Sequence, residues 1–132
     1  MKAVSFDLEN PEGGMCTIAA AVEGNGVHRD LRQRRYGHVR VEIAPGGGPE
    51  FYRFEWRVLE EMLPFPWMKD ACLAGVKAAL SEPLPSGERV VRVRVSVIDG
   101  NYHATDTDEE AMRTAARLAV RNALSNATFI RL

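Results

Sequence analysis

Arginine is concentrated in one short stretch of this chain, residues 29–35. The stretch holds four arginines and one acid, which gives a net charge of +3 in seven residues. Its charged members are Arg29, Asp30, Arg32, Arg34 and Arg35, and within or beside it lie Gln33, Tyr36 and His38. Guanidinium groups bind phosphate oxygens, and aromatic rings stack on unpaired bases. The residues alone therefore predict either an RNA-binding loop or a solvated arginine-rich hairpin with no partner.

No pattern for nucleotide hydrolysis or covalent catalysis is visible in the sequence. A phosphate-binding P-loop needs a Gly-Lys pair, and each of the three lysines follows Met or Val. The G-x-S-x-G turn of many hydrolases is also missing. His103 has Asp106 and Asp108 nearby, but no second histidine stands three or four residues away to complete a metal site. We predict no enzyme, no bound nucleotide, no cofactor and no metal site.

The length of 132 residues is that of one ordinary domain. The formal charge of −1 does not require a nucleic-acid partner, so any such partner must be bound by a local patch. Cys16 and Cys72 lack the spacing of zinc sites and are expected to be reduced thiols. The first residues lack the apolar core of a signal peptide, and no apolar run is long enough to span a membrane. We therefore expect a cytoplasmic protein.

Alternation of apolar with polar or small residues predicts four main strands, at 15–23, 38–44, 52–58 and 89–99. Gly24-Asn25-Gly26 and Asp99-Gly100-Asn101 predict turns that follow the first and the last of them. The run Pro45-Gly46-Gly47-Gly48-Pro49 predicts a turn that joins the second and third strands into an antiparallel hairpin.

Two helices are predicted. Pro66 suits the first turn of one helix, whose apolar residues recur at helical spacing as far as Leu80. The other helix follows Thr107, whose spacing to Glu110 matches a capping box. We treat residues 1–14, where alternation also allows an edge strand, as an N-terminal extension or edge strand, and residues 15–132 as the domain.

Each strong strand has one apolar face and one face of arginine and glutamate, as a sheet does when helices cover one side. We predict an α+β fold, a two-layer sandwich in which a mostly antiparallel four-stranded sheet carries two helices on one face.

Several short motifs together resemble a known family. They are Tyr36-Gly37-His38-Val39 entering a strand, Val97-Ile98-Asp99-Gly100-Asn101-Tyr102-His103 leaving one, Asp106-Thr107, and the capped helix start from Glu109 to Ala116. In this order and spacing they resemble domain IV of the translation elongation factor G and elongation factor 2 family. The likeness extends from about Thr17 to Ala123.

The resemblance implies a ribosomal protein S5 domain 2-like fold with the order β-β-β-α-β-α and a left-handed crossover. It also implies two tip loops that enter the decoding site of the small ribosomal subunit and contact tRNA and mRNA. Carried over by position, the implied RNA-binding residues are Arg32, Gln33, Arg34, Arg35, Tyr36, His38, Asn101, Tyr102 and His103.

The chain departs from the family pattern in two loops. Arginines stand where the first tip loop is typically glycine-rich, and Leu59-Glu60-Glu61-Met62-Leu63 stands in a segment that is usually glycine-rich. The GTPase and the other domains of the family have no counterpart in these 132 residues, so we do not expect translocation as such.

Three functions follow as hypotheses. The first is a domain IV-like module without GTPase activity that binds ribosomal RNA or tRNA, with the small subunit as partner, through the two tip loops. The second is a protein-interaction or homo-oligomerisation module that uses the edge strands and the Arg/Glu sheet face. The third is an enzyme, because similar folds occur in kinases, proteases and nucleases. Convergence of the 32–35 loop and the His103 turn into one tip supports the first.

Overall fold

The computed structural model describes residues 2–8, 13–46 and 52–132. Among these residues are two helices, α1 (Pro66–Ser81) and α2 (Glu109–Ser125). The strands are β1 (Lys2–Phe6), β2 (Met15–Ile18), β3 (Val22–Asp30), β4 (Arg35–Pro45), β5 (Tyr52–Trp56), β6 (Arg89–Val90), β7 (Val93–Asn101) and β8 (Phe129–Arg131). None of the described helices combines the length and the apolar character needed to cross a membrane.

The main sheet has five strands in the order β1-β5-β7-β4-β3. Its strands pair antiparallel, except that β5 runs parallel to β7. The prediction of an α+β fold with two helices is confirmed, but the predicted number of four strands is wrong, since the sheet has five strands and is mixed, with one parallel pair. The chain leaves the C-terminal end of β5 and returns through α1 to the opposite end of the sheet. It enters β7 at the end where β5 began, so the two strands run parallel. Strand β1 lies at the edge of this sheet. The predicted strand at 15–23 is wrong as one strand, because its first part is β2, which belongs to a second sheet, and β3 of the main sheet begins only at Val22.

The predicted hairpin between residues 38–44 and 52–58 is also wrong. Strand β7 lies between β4 and β5 and pairs with both, so the two predicted partners do not pair with each other. Residues 47–51 of the connecting run lie outside the described part of the chain. The alternating pattern predicts the two strands correctly. A turn-forming sequence between them does not show that they pair, because a strand from a later part of the chain, here β7, can lie between them.

The predicted strand at 89–99 is two strands of different sheets. Arg92 takes a left-handed backbone conformation with φ of 57°, and the chain changes direction there. Strand β6 before the break joins a second, three-stranded sheet of order β6-β2-β8, while β7 after it occupies the centre of the main sheet. The valines at 91, 93, 95 and 97 are all buried, which explains why the pattern looked continuous.

Both helices pack on the face of the main sheet that carries the apolar side chains. The core includes Phe54, Val95 and Met112, none of which is accessible to solvent. At the far edge, the rings of Phe6 and Tyr52 stack at 5.2 Å, and the Lys77 ammonium of α1 lies 5.2 Å from the Phe6 ring centre.

Helix α2 approaches β3 more closely than ordinary side chains allow. A Cβ atom on Gly26 would lie 1.9 Å from the carbonyl oxygen of Ala115, and one on Gly24 would lie 2.3 Å from that of Ala119. The prediction of a turn at Gly24-Asn25-Gly26 is therefore wrong. These residues lie in the middle of β3, where the absence of side chains admits the helix backbone.

We predict that Gly26→Ala lowers the free energy of unfolding by about 3 kcal/mol or more, because the added methyl group meets helix backbone rather than a movable side chain. Urea denaturation measures the change. Gly14→Ala is the matched control, since its methyl group would lie 3.7 Å from the Glu88 side chain and should alter stability by less than about 0.5 kcal/mol. Equal effects of the two substitutions would contradict the close packing.

Burial also raises the pKa values of three core groups, Cys16, Tyr52 and Cys72. It raises the pKa of Cys72 from 9.0 to about 12, and it is the main cause that raises the pKa of Tyr52 from 10.0 to about 12. The Tyr52 hydroxyl donates a hydrogen bond of 2.6 Å to the carbonyl of Val90. All three groups hold their protons more tightly in the folded than in the unfolded chain.

The contribution of these groups to the free energy of unfolding should therefore be fully present below about pH 9. It should decline as the pH rises towards 12, because the unfolded chain loses these protons at lower pH than the folded chain. Denaturation midpoints across this range test the expectation. Tyr52→Phe should lower stability below about pH 10, through the lost hydrogen bond, and should make the decline above pH 10 shallower. If stability falls equally steeply above pH 10 in the wild type and in Tyr52→Phe, ionisation of Tyr52 does not contribute to the decline.

Candidate functional site

The β3–β4 hairpin ends in a four-residue turn at 31–34. One carboxylate oxygen of Asp30 accepts hydrogen bonds from the amides of Arg32 at 3.0 Å and Gln33 at 3.2 Å, which is the usual way in which aspartate closes a turn. Arg34 takes a left-handed conformation with φ of 52°, which costs a non-glycine residue free energy. The turn is thus closed locally, with its arginine side chains outside.

The second tip begins where β7 ends. The predicted turn at Asp99-Gly100-Asn101 is wrong, because these residues belong to β7, where a bulge next to Arg40 shifts the register. The chain turns instead at 104–106. The side-chain oxygen of Asn101 accepts a hydrogen bond of 2.9 Å from the amide of Tyr102, and Nδ1 of His103 lies 3.1 Å from the hydroxyl of Thr105.

The Thr107 side chain joins the two tips. Its hydroxyl donates to the carbonyl of Tyr36 at 2.7 Å and accepts from the amide of His103 at 2.7 Å. The amide of Tyr36 also donates to the carbonyl of Asp106 at 3.0 Å. Two of these hydrogen bonds join the first tip to the His103 turn, and the third holds Thr107 within that turn.

Thr107 is not the helix cap that its spacing to Glu110 predicted. The side chain of Asp108 caps α2 by accepting a hydrogen bond of 2.8 Å from the amide of Ala111. Two capping-type residues stand side by side in the sequence, and the capping-box pattern selects the wrong one. The role of Thr107 as a link between distant loops had no signal in the local pattern.

A cavity of about 350 Å³ lies between the two tips. It is lined by six of the nine predicted RNA-binding residues, namely Arg34, Arg35, Tyr36, Asn101, Tyr102 and His103. The structure adds four lining residues that were not predicted as site residues: Arg29, Asp30, Leu31 and Asp106. Arg32 and Gln33 lie on the exposed turn beside the cavity. The predicted convergence of the two loops is thus observed.

His38 faces elsewhere. Its Nε2 lies 3.0 Å from the side-chain oxygen of Asn25, on the sheet face that the helices leave open. Arginine and glutamate pair across the same face: Arg40 with Glu23, Arg57 with Glu42 at 3.5 Å, and Arg94 with Glu55 at 3.0 Å. The charges of these acids are therefore balanced within the chain.

The arginines of the first tip differ in their environments. Arg35 pairs with Asp108 and Glu110 at the start of α2, with its guanidinium 3.4 Å from Asp108. The Arg29 guanidinium lies 5.6 Å from the centre of the Tyr36 ring. Arg32 and Arg34 are exposed and form no ion pair with any described residue. The charge available to an anion is therefore that of Arg32 and Arg34, assisted by Arg29.

A third segment, the loop 57–65 between β5 and α1, lies at the same end of the sheet. The rings of Phe65 and Tyr102 meet edge to face at 5.8 Å, and a Cβ on Gly100 would lie 2.6 Å from Leu63. The site prediction did not include this loop, since nothing in its own pattern places it beside Tyr102.

Comparison with known proteins identifies the family that this arrangement matches. The profile of the family described as "Elongation factor G, domain IV" matches residues 16–128, most of the chain. The chain belongs to this family. The resemblance seen in the sequence is confirmed: the chain is an elongation factor G domain IV-like module.

A solved structure supports this assignment. The crystal structure of a protein from Thermus thermophilus superposes with a TM-score of 0.78 at 27% sequence identity. The match covers 89% of this chain and 17% of that chain. The domain IV-like chain thus corresponds to a small part of that larger protein.

We predict that Thr107→Val lowers the free energy of unfolding by about 1 to 3 kcal/mol, because it leaves the Tyr36 carbonyl and the His103 amide without their shared partner. Urea denaturation measures stability, and amide exchange at His103 should accelerate. Thr105→Val removes the same group at an exposed position and should cost less than about 0.5 kcal/mol. Unchanged exchange at His103 in Thr107→Val would show that Thr107 does not hold the tips.

Proposed function

We propose that this domain IV-like module binds RNA of the small ribosomal subunit or tRNA through its two tip loops, in the cytoplasm and without GTPase activity of its own. The observation that carries the proposal is the convergence of the tips around one cavity, joined by Thr107. Both tips can then contact a single RNA segment at once.

The side chains at this end offer complementary contacts. Arg32 and Arg34 supply guanidinium groups that form no ion pair with any residue of the described ranges, and such groups bind phosphate oxygens. Tyr36 and Tyr102 supply aromatic rings at the cavity, where an unstacked base finds a surface. Asp30 and Asp106 also line the cavity and would repel phosphate, so the backbone of a bound RNA should follow the arginine turn rather than enter the cavity.

The alternative of a protein-interaction module on the Arg/Glu sheet face is less well supported. The acids of that face already pair with neighbouring arginines. At the β3 edge, the outward amide of Asn25 donates to the side chain of Asn122 on α2 at 2.9 Å. This contact occupies a donor that an added strand would need.

We expect the double variant Arg32→Gln/Arg34→Gly to bind purified small ribosomal subunits about tenfold more weakly than wild type in co-sedimentation at about 50 mM salt. Each lost phosphate contact should reduce the slope of log affinity against log salt by about 0.7 to 0.9. Glycine is chosen at position 34 because it accepts the left-handed backbone, so the charge is removed without added strain.

Arg53→Gln/Arg113→Gln is the matched control, because it removes two exposed arginines that lie outside the tips. It should leave both the affinity and the salt slope unchanged. Equal losses of affinity in the two double variants would show that subunits bind through general charge attraction and not through the tips. Failure of the wild-type protein to sediment with micromolar subunits at low salt would refute the proposal.

A further inference from the structure

The turn and helix start at 59–67 expose an unusual concentration of large apolar side chains. The exposed fraction is 65% for Leu59, 48% for Phe65, and 37% for both Met62 and Trp67. Single exposed apolar residues are common, but four within nine positions form a candidate contact surface. We call Leu59, Glu60, Glu61, Met62, Phe65 and Trp67 the apolar-acidic surface.

The four apolar side chains of this surface are not part of the hydrophobic core. The same segment contributes Leu63 to the core, where it is 3% exposed, and Val58 packs partly against the core. Phe65 has an aromatic neighbour, since it meets Tyr102 edge to face, yet about half of its surface stays open to water. The segment is thus anchored by Leu63 and presents its other apolar residues outward.

The charge of this surface is negative and unbalanced. Glu60 and Glu61 are exposed, and neither forms an ion pair with a described residue. This distinguishes them from Glu42 and Glu55 of the open sheet face, whose partners are Arg57 and Arg94. Their charges remain available to a ligand of opposite sign.

We propose that the apolar-acidic surface docks a basic, apolar segment of a protein partner. The four apolar side chains would receive the partner's apolar residues, and the two carboxylates its lysines or arginines. Phe65 and Trp67 could stack on bases, but the carboxylates of Glu60 and Glu61 repel phosphate. RNA is therefore disfavoured as the ligand of this surface. The proposal does not rest on RNA binding by the tips, since it involves none of their arginines.

Three fluorescent probes test the proposal by anisotropy: a short amphipathic peptide of lysine and leucine, its glutamate and leucine counterpart, and a short oligouridine. Wild-type protein should bind the lysine peptide and not the glutamate peptide. Glu60→Lys/Glu61→Lys should weaken binding of the lysine peptide about tenfold, since two attractive charges become repulsive. Phe65→Ser/Trp67→Ser should weaken it by a similar factor through lost apolar contact.

Matched controls separate the surface from general charge. Asp7 is exposed and follows β1 at the end of the sheet opposite to Trp56, so Asp7→Lys should leave peptide affinity unchanged while Glu61→Lys alone reduces it. Arg32→Gln/Arg34→Gly should also leave peptide affinity unchanged, whether or not the tips bind RNA. All substituted positions are exposed, and only Arg34 has a left-handed backbone, which glycine accepts. Circular dichroism verifies that each variant folds.

Either of two binding results, or a third result from light scattering, would overturn the proposal. One is equal affinity of the lysine peptide for wild type and for both double variants of the surface. The other is tight binding of oligouridine that Phe65→Ser/Trp67→Ser abolishes, in the absence of peptide binding, which would assign the surface to RNA. A wild-type dimer in light scattering that dissociates in Phe65→Ser/Trp67→Ser would likewise assign it to a second copy of the chain.

Discussion

The direct contact between the backbones of helix α2 and strand β3 is the constraint on which the loop end depends. Gly24 and Gly26 leave no room for a side chain between strand and helix, and Gly37 continues the same seam on β4, where a Cβ would lie 2.8 Å from the Ala111 carbonyl. Because three contacts along one helix fix both its height and its direction, the first residue of α2 must arrive beside Tyr36.

The position of the helix start then determines the electrostatics of the tip. Asp108 and Glu110 reach Arg35, while Asp30 and Asp106 line the cavity with Arg29 and Arg34. The four arginines of the first tip therefore share their surroundings with four carboxylates, and the charge of +3 seen in the sequence stretch overstates the local field. The bulk attraction of an anion to this end of the sheet is correspondingly weak.

Much of the fold was predictable because it rests on local patterns. Helix α1 begins at Pro66 as expected, the alternating run at 38–44 lies within β4, and the run at 52–58 is a strand as far as Trp56. Pairing was not predictable from these runs, because β7 separates β4 from β5 and the choice depends on how α1 crosses the sheet. Gly24 and Gly26 misled the prediction, since a glycine that admits a helix and a glycine that permits a turn look the same in a sequence.

The candidate site divides in the same way. The tip residues were found through motif spacing, and six of them do line one cavity. The pairing of Arg35 with acids of α2, the link through Thr107 and the contact of Phe65 with Tyr102 join residues that are 37 to 75 positions apart. No local pattern reports such contacts, because they exist only once the sheet order and the helix position are set.

The Asp30 carboxylate gives the first tip a further property. By accepting two amide hydrogen bonds it holds the turn in one conformation, with Arg34 in a strained backbone state. The conformational entropy of the turn is thus lost when the chain folds and not when a ligand arrives. Association at this tip would proceed without a loop-ordering step, so its rate would be governed by encounter and orientation, as in other preorganised binding surfaces.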